Sequence, residues 1–176
     1  MSFLVTMLVA ALIPLVVGFI YYHKAVFGNA WANMLGIEMN PENMKKEMPK
    51  VMLVSYIVNF FLAFGLASIV IHQMGLFSLL MESKGDLSEL DYVSKIVVSF
   101  DGVAIDPDVL WNGLFRTFKH GAIHGVLASL TLVMPILVTT GLYEKRPWKL
   151  TFINLGYWII NFALMGGFIC QMLRWS

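Results

Sequence analysis

Residues 51–81 read VMLVSYIVNFFLAFGLASIVIHQMGLFSLLM and contain no Asp, Glu, Lys or Arg. A helix needs ~20 mostly apolar residues to cross ~30 Å of hydrocarbon, so this stretch predicts a membrane span. Its end is expected near Gly75, since glycine commonly closes helices. Met1–Tyr22, Gly121–Tyr143 and Leu150–Leu173 are equally free of those four residue types. The spans are therefore placed at about 2–22, 51–74, 120–143 and 150–173, in one domain, with residues 75–119 as an acidic extramembrane connection. The expected fold class is all-α integral membrane, four transmembrane helices in one bundle.

Composition agrees. Apolar side chains make up 59% of the 176 residues and charged ones 13%, against roughly 45–50% and ~25% in a soluble domain. A net charge of +1 argues against a nucleic-acid binder, which carries a strongly basic face. The single cysteine, Cys170, excludes an intrachain disulfide and zinc sites built from paired CxxC motifs. Met1–Tyr22 lacks the basic start and the short apolar run of a signal peptide and reads as a retained helix. No GxSxG, P-loop, GxGxxG or HExxH motif is present, and no catalytic residue is assigned. The central parts of the spans also lack the ionisable groups of ion-coupled carriers.

Lys24, Lys45, Lys46 and Lys50 lie between the first two spans, and Lys145, Arg146 and Lys149 in the tight third connection. An even number of spans puts both loops on one side, which the distribution of basic residues assigns to the cytoplasm. Both termini are then external. Asn40-Pro41 reads as a helix start, and residues 44–48 as a short interfacial helix ahead of Pro49. In the acidic connection, Leu87, Leu90, Val93 and Val97 predict a helix to about Ser94. Asp101-Gly102, between β-prone runs over residues 96–105, predicts a hairpin. Asp106-Pro107-Asp108 reads as the start of a helix that continues through Trp111 and Phe115 into the third span.

Pro14 and Pro135 should kink their spans. Small residues recur at helical steps: Ala10 and Gly18; Ala63 and Ala67; Gly121, Gly125 and Ser129; Gly156, Ala163 and Gly167. Close backbone approach along such stripes holds membrane helices together. They either face one another within the bundle or, at Gly121-xxx-Gly125, form a homodimer seam. Asn59 and Asn161 are read as interhelical hydrogen-bonding residues.

One polar cluster is predicted at a single depth on the outer side. His120 and His124 share a helix face one turn apart, and His72 ends the second span. Three imidazoles suit a transition metal, zinc first; the plainer reading is three interfacial histidines bonded to carbonyls or water.

Gly18-Phe19-Ile20-Tyr21-Tyr22, Phe27-Gly28-Asn29-Ala30-Trp31 and Leu35-Gly36 resemble the opening motif of the bacterial membrane family catalogued as domain of unknown function 1761. Leu142-Tyr143-Glu144-Lys145-Arg146-Pro147-Trp148, Ile153-Asn154-Leu155-Gly156-Tyr157 and Met165-Gly166 are similar to its closing motif. The resemblance covers about residues 10–37 and 120–172; Tyr21 stands where the family commonly carries a tryptophan. It implies a four-helix protein of the bacterial inner membrane and brings no activity with it. Both motifs straddle the expected cytoplasmic boundary. There Tyr21, Tyr22, Trp31, Tyr143, Trp148 and Tyr157 are expected to form an aromatic collar beside Lys145, Arg146 and Lys149. Such a collar is either an interfacial belt with positive anchors or a docking surface for anionic lipids or a partner membrane protein. The expected role is a non-enzymatic membrane subunit; the alternative is a metal- or small-ligand-binding membrane protein using the outer histidines.

Overall fold

The computed structural model describes residues 1–37, 41–72 and 115–174, with 41–44 described in backbone only. The helix and hairpin expected within 82–105, and the helix start at 106–108, lie outside these residues. Among the described residues every regular element is helical: α1 (Phe3–Ala10), α2 (Ile13–Tyr21), α3 (Gly28–Leu35), α4 (Pro41–Val70), α5 (Phe118–Ala128), a π-helical turn (Ser129–Val133), α6 (Met134–Tyr143) and α7 (Trp148–Met172). Four continuous or broken helices among the described residues are long and apolar enough to cross a membrane: Phe3–Tyr21, Lys45–Val70, Phe118–Tyr143 and Trp148–Met172.

The prolines act where they fall inside spans. Pro14 has no N–H to give the Ala10 carbonyl and its ring crowds that turn, so the first span breaks at Ala11–Leu12 into α1 and α2. Ahead of Pro135 the third span widens into the π-helical turn, one of the local adjustments by which membrane helices absorb proline. Pro49 behaves differently from expectation. It lies inside one continuous helix, α4, so the helix expected over residues 44–48 is not separate from the second span. Residues 45–50 are exposed, and water can satisfy the Lys45 carbonyl that Pro49 leaves without its donor. Helix α4 runs to Val70, and Ile71 still donates to the Ala67 carbonyl at 3.0 Å; the expected end near Gly75 lies outside the described residues.

Helix α7 is the axis of the bundle and touches every other described helix. Of its most apolar window 44% is buried, against 22–28% for the other spans. Met165 and Ile169 of α7 meet Met7, Leu66 and Ile71 in the core. Lipid gives no hydrophobic drive between helices, so contact rests on close packing, and glycines provide it. A methyl group on Gly121 would collide with the Gly166 carbonyl and the Cys170 Cβ, and one on Gly125 with the Phe162 carbonyl. Gly121-xxx-Gly125 is thus taken up by α5 against α7 within the chain. The termini meet beside this seam: the Met1 ammonium donates to the Met172 carbonyl at 3.0 Å, and the Arg174 amide to the Met1 carbonyl at 3.1 Å.

Candidate functional site

The end of the bundle formed by the close of the second span and the start of the third holds the three expected histidines. Thr117 caps α5, its hydroxyl accepting from the His120 amide at 3.2 Å; capping by a threonine oxygen fixes where a helix begins. His120 is thereby set in the first turn, with His124 one turn further along the same face. His72, two residues beyond α4, completes the group. Ring centroids are 5.1 Å apart for His72 and His120, 4.5 Å for His72 and His124, and 4.5 Å for His120 and His124. One nitrogen from each ring lies within 4.8 Å of the other two. His72 is exposed; His120 and His124 are half-buried. The Nε2 of His120 is buried and has no hydrogen-bond partner, a condition that costs ~1–3 kcal/mol if nothing fills it.

The approach to this cluster is not a continued helix, as the sequence suggested. Phe115 adopts a left-handed φ of 58°, uncommon for a residue with a side chain. Its carbonyl accepts from the Cys170 thiol at 3.3 Å, and its ring lies over His120 with centroids 5.3 Å apart. Arg116, only 5% exposed, turns inward and donates from Nη2 to the Leu173 carbonyl at the end of α7. A cation there complements the helix C-terminus. Burial pushes the guanidinium pKa below its ordinary value, although arginine stays charged. Phe115 read only as part of a helix entering the third span, and Arg116 did not stand out in the sequence; Thr117 three residues before His120 was the available signal.

The opposite end divides the expected aromatic collar in two. Tyr21, Tyr22, Trp31 and Tyr157 come together. Tyr22 is 5.4 Å from Tyr21, 5.2 Å from Trp31 and 5.2 Å from Tyr157, between ring centroids. Their hydroxyls are spent inside the protein: Tyr21 donates to the Ile153 carbonyl at 3.0 Å, Tyr22 to Asn154 Oδ1 at 3.0 Å and Tyr157 to the Pro14 carbonyl at 2.9 Å. Gly156 lies under the Tyr21 hydroxyl and Gly18 against Tyr157. The opening and closing motifs are therefore two halves of one packed cluster.

The remaining members stand outside it. Tyr143 is 87% exposed and Trp148 54%, the latter stacked on Phe152. Lys145, Arg146 and Lys149 are also exposed, Arg146 being paired with Glu144. The loop that carries them is a Schellman turn. Arg146 N–H donates to the Gly141 carbonyl at 2.8 Å and Lys145 N–H to the Leu142 carbonyl at 3.2 Å, with Lys145 at φ 54°. Helix α3 ends in the same motif: Ile37 N–H donates to Ala32 and Gly36 N–H to Asn33, with glycine at φ 66°. One turn uses the residue the geometry favours; the other uses lysine.

A protein family described as "Protein of unknown function (DUF1761)" matches residues 5–170, nearly the whole chain, and the chain belongs to it. No curated protein and no solved structure matches the chain.

Proposed function

We propose that this member of the DUF1761 family is a non-enzymatic subunit of the bacterial inner membrane whose exposed basic loop docks on anionic phospholipid headgroups. Its basic loops face the cytoplasm and both termini lie outside, as the distribution of Lys and Arg supports. The observation that carries the reading is Lys145 in a left-handed turn. That conformation costs a residue with a Cβ ~1–2 kcal/mol, a cost glycine avoids in the equivalent turn at Gly36. A basic residue beside an anionic membrane surface contributes ~1 kcal/mol. The charge of Lys145 alone is thus of the same order as its backbone cost, and Lys149 and Arg146, the latter partly neutralised by Glu144, add to the attraction of the same loop. Trp148 and Tyr143, both exposed beside them, are the side chains that settle at headgroup depth.

Full-length protein in phosphatidylcholine nanodiscs, with and without phosphatidylglycerol, tests this. Phosphatidylglycerol should raise the melting temperature of the wild type. Lys145→Gly should melt at or above the wild-type temperature in phosphatidylcholine alone and lose about a third of the phosphatidylglycerol increment. No increment in the wild type, a full increment in the variant, or a stoichiometric partner protein occupying this loop on purification would each overturn the lipid reading.

A further inference from the structure

At the other end of the bundle, and independently of the lipid reading, we propose that His72, His120 and His124 form a transition-metal site with three imidazole ligands and an open fourth position. Two elements far apart in sequence supply the ligands, and the fold brings their ring nitrogens within 4.8 Å of one another. Zinc–nitrogen bonds of ~2.0–2.1 Å at tetrahedral angles put ligand nitrogens ~3.4 Å apart. The difference to be closed on binding is ~1.4 Å at most.

Three features separate this cluster from histidines that merely share an interface. The rings are inclined at 58–81° rather than stacked flat, and a nitrogen of each lies within 4.8 Å of the other two. Among the described residues no hydrogen bond joins them, and the buried Nε2 of His120 is left without a partner. A metal ion supplies the electron-pair acceptor that this nitrogen lacks. Third, the surrounding structure holds the cluster in place: Thr117 fixes the start of α5, and Phe115 covers one face of the His120 ring from its left-handed conformation. Groups that orient a ligating imidazole are part of a metal site's affinity.

The chemistry narrows the occupant. Imidazole nitrogen suits zinc, copper, nickel and iron rather than magnesium or calcium, which take oxygen ligands. Ring centroids 4.5–5.1 Å apart leave no slot for a porphyrin between two axial histidines. Cys170 is not a ligand, since its thiol is directed to the Phe115 carbonyl. Among the described residues the site offers three neutral ligands and no carboxylate, with His72 exposed, so they leave the fourth position free. That is the pattern of an exchangeable or water-bearing site rather than a closed structural one. A divalent ion with zinc-like preferences is the occupant assigned.

The test uses the full-length protein in mild detergent, titrated with Zn²⁺ against a chelating dye and, separately, with Co²⁺ followed by its visible spectrum. The wild type should take up one equivalent of Zn²⁺ and show the intense d–d bands of four-coordinate cobalt. His120→Ala and His124→Ala should each weaken binding by at least ~10-fold and remove those bands, since even residues behind a ligand matter by that factor. His23→Ala, at the opposite end, should leave both readouts unchanged. A sharp gel-filtration peak shows which variants remain folded. If the alanine variants do not fold, His120→Asn and His124→Asn decide by the cobalt spectrum alone. Absence of stoichiometric uptake by the wild type, or wild-type affinity in folded His120 and His124 variants, would overturn the site.

Discussion

The phenol of Tyr157 donates to the carbonyl of Pro14 at 2.9 Å across 143 positions of sequence. It thereby ties the central helix α7 to the proline that breaks the first span. Tyr21 and Tyr22 add bonds to the next turn of the same helix, at Ile153 and Asn154. Interhelical hydrogen bonds in membranes contribute ~0.6 kcal/mol on average and up to ~1.7. Tyr157→Phe should therefore lower stability by about 1 kcal/mol, and the pair Tyr22→Phe with Tyr157→Phe by more than either alone. Reversible unfolding in mixed micelles reads this directly; an unchanged unfolding midpoint in the double variant would show that the cluster is packing without bonding.

The α5–α7 seam makes a sharper prediction. Gly125→Ala places a methyl against the Phe162 carbonyl, a backbone atom that cannot rotate away. Overpacking of this kind costs ~1–3 kcal/mol or more. Gly65→Ala, with nothing within 4 Å of the new methyl, should be neutral or slightly stabilising, because alanine is the better helix former. Equal effects of the two substitutions would contradict the packing described. Because Gly121 and Gly125 are engaged within the chain, Gly125→Ala should act at any detergent-to-protein ratio, whereas a dimer seam would make its effect depend on dilution.

Orientation is checked by labelling from outside with a membrane-impermeant maleimide, in a Cys170→Ala background. Ser2→Cys should react in intact cells, and Lys149→Cys only after permeabilisation. The reverse pattern would put the histidine end in the cytoplasm and the basic loop outside, removing the support for docking on the cytoplasmic leaflet.

The four spans were legible because an uncharged run of this length has no other stable environment, and the kinks were legible because proline lacks a donor wherever it stands. The meeting of His72 with His120 and His124 was also legible, since an i, i+4 pair and the end of the preceding span share one depth. What stayed hidden was whatever depends on distant partners. Pro49 reads as a helix boundary until one sees that its neighbours are exposed to water. Tyr21 and Tyr157 read as interfacial aromatics, whereas their hydroxyls are taken by carbonyls on other helices. Arg116 looks like a loop cation and instead lies buried at the end of α7, because the chain turns inward at Phe115. Gly166 lies one residue off the stripe Gly156, Ala163, Gly167, yet it carries the close approach to Gly121.

Removing the cover over His120 gives a graded test of the metal site. Phe115→Ala should leave cobalt four-coordinate but weaken Zn²⁺ binding by about 10-fold, the low end for a side chain that orients a ligand. An unchanged affinity would show that the ring does not position His120.

X-ray absorption at the zinc edge of the Zn²⁺-loaded, full-length protein addresses the central claim most directly. The account predicts a four-coordinate ion with three imidazole nitrogens at ~2.0–2.1 Å and one further oxygen ligand, the imidazole signature falling to two rings in His72→Ala. A sulfur scatterer, an all-oxygen shell, or a spectrum that His72→Ala, His120→Ala and His124→Ala all leave unchanged would contradict it.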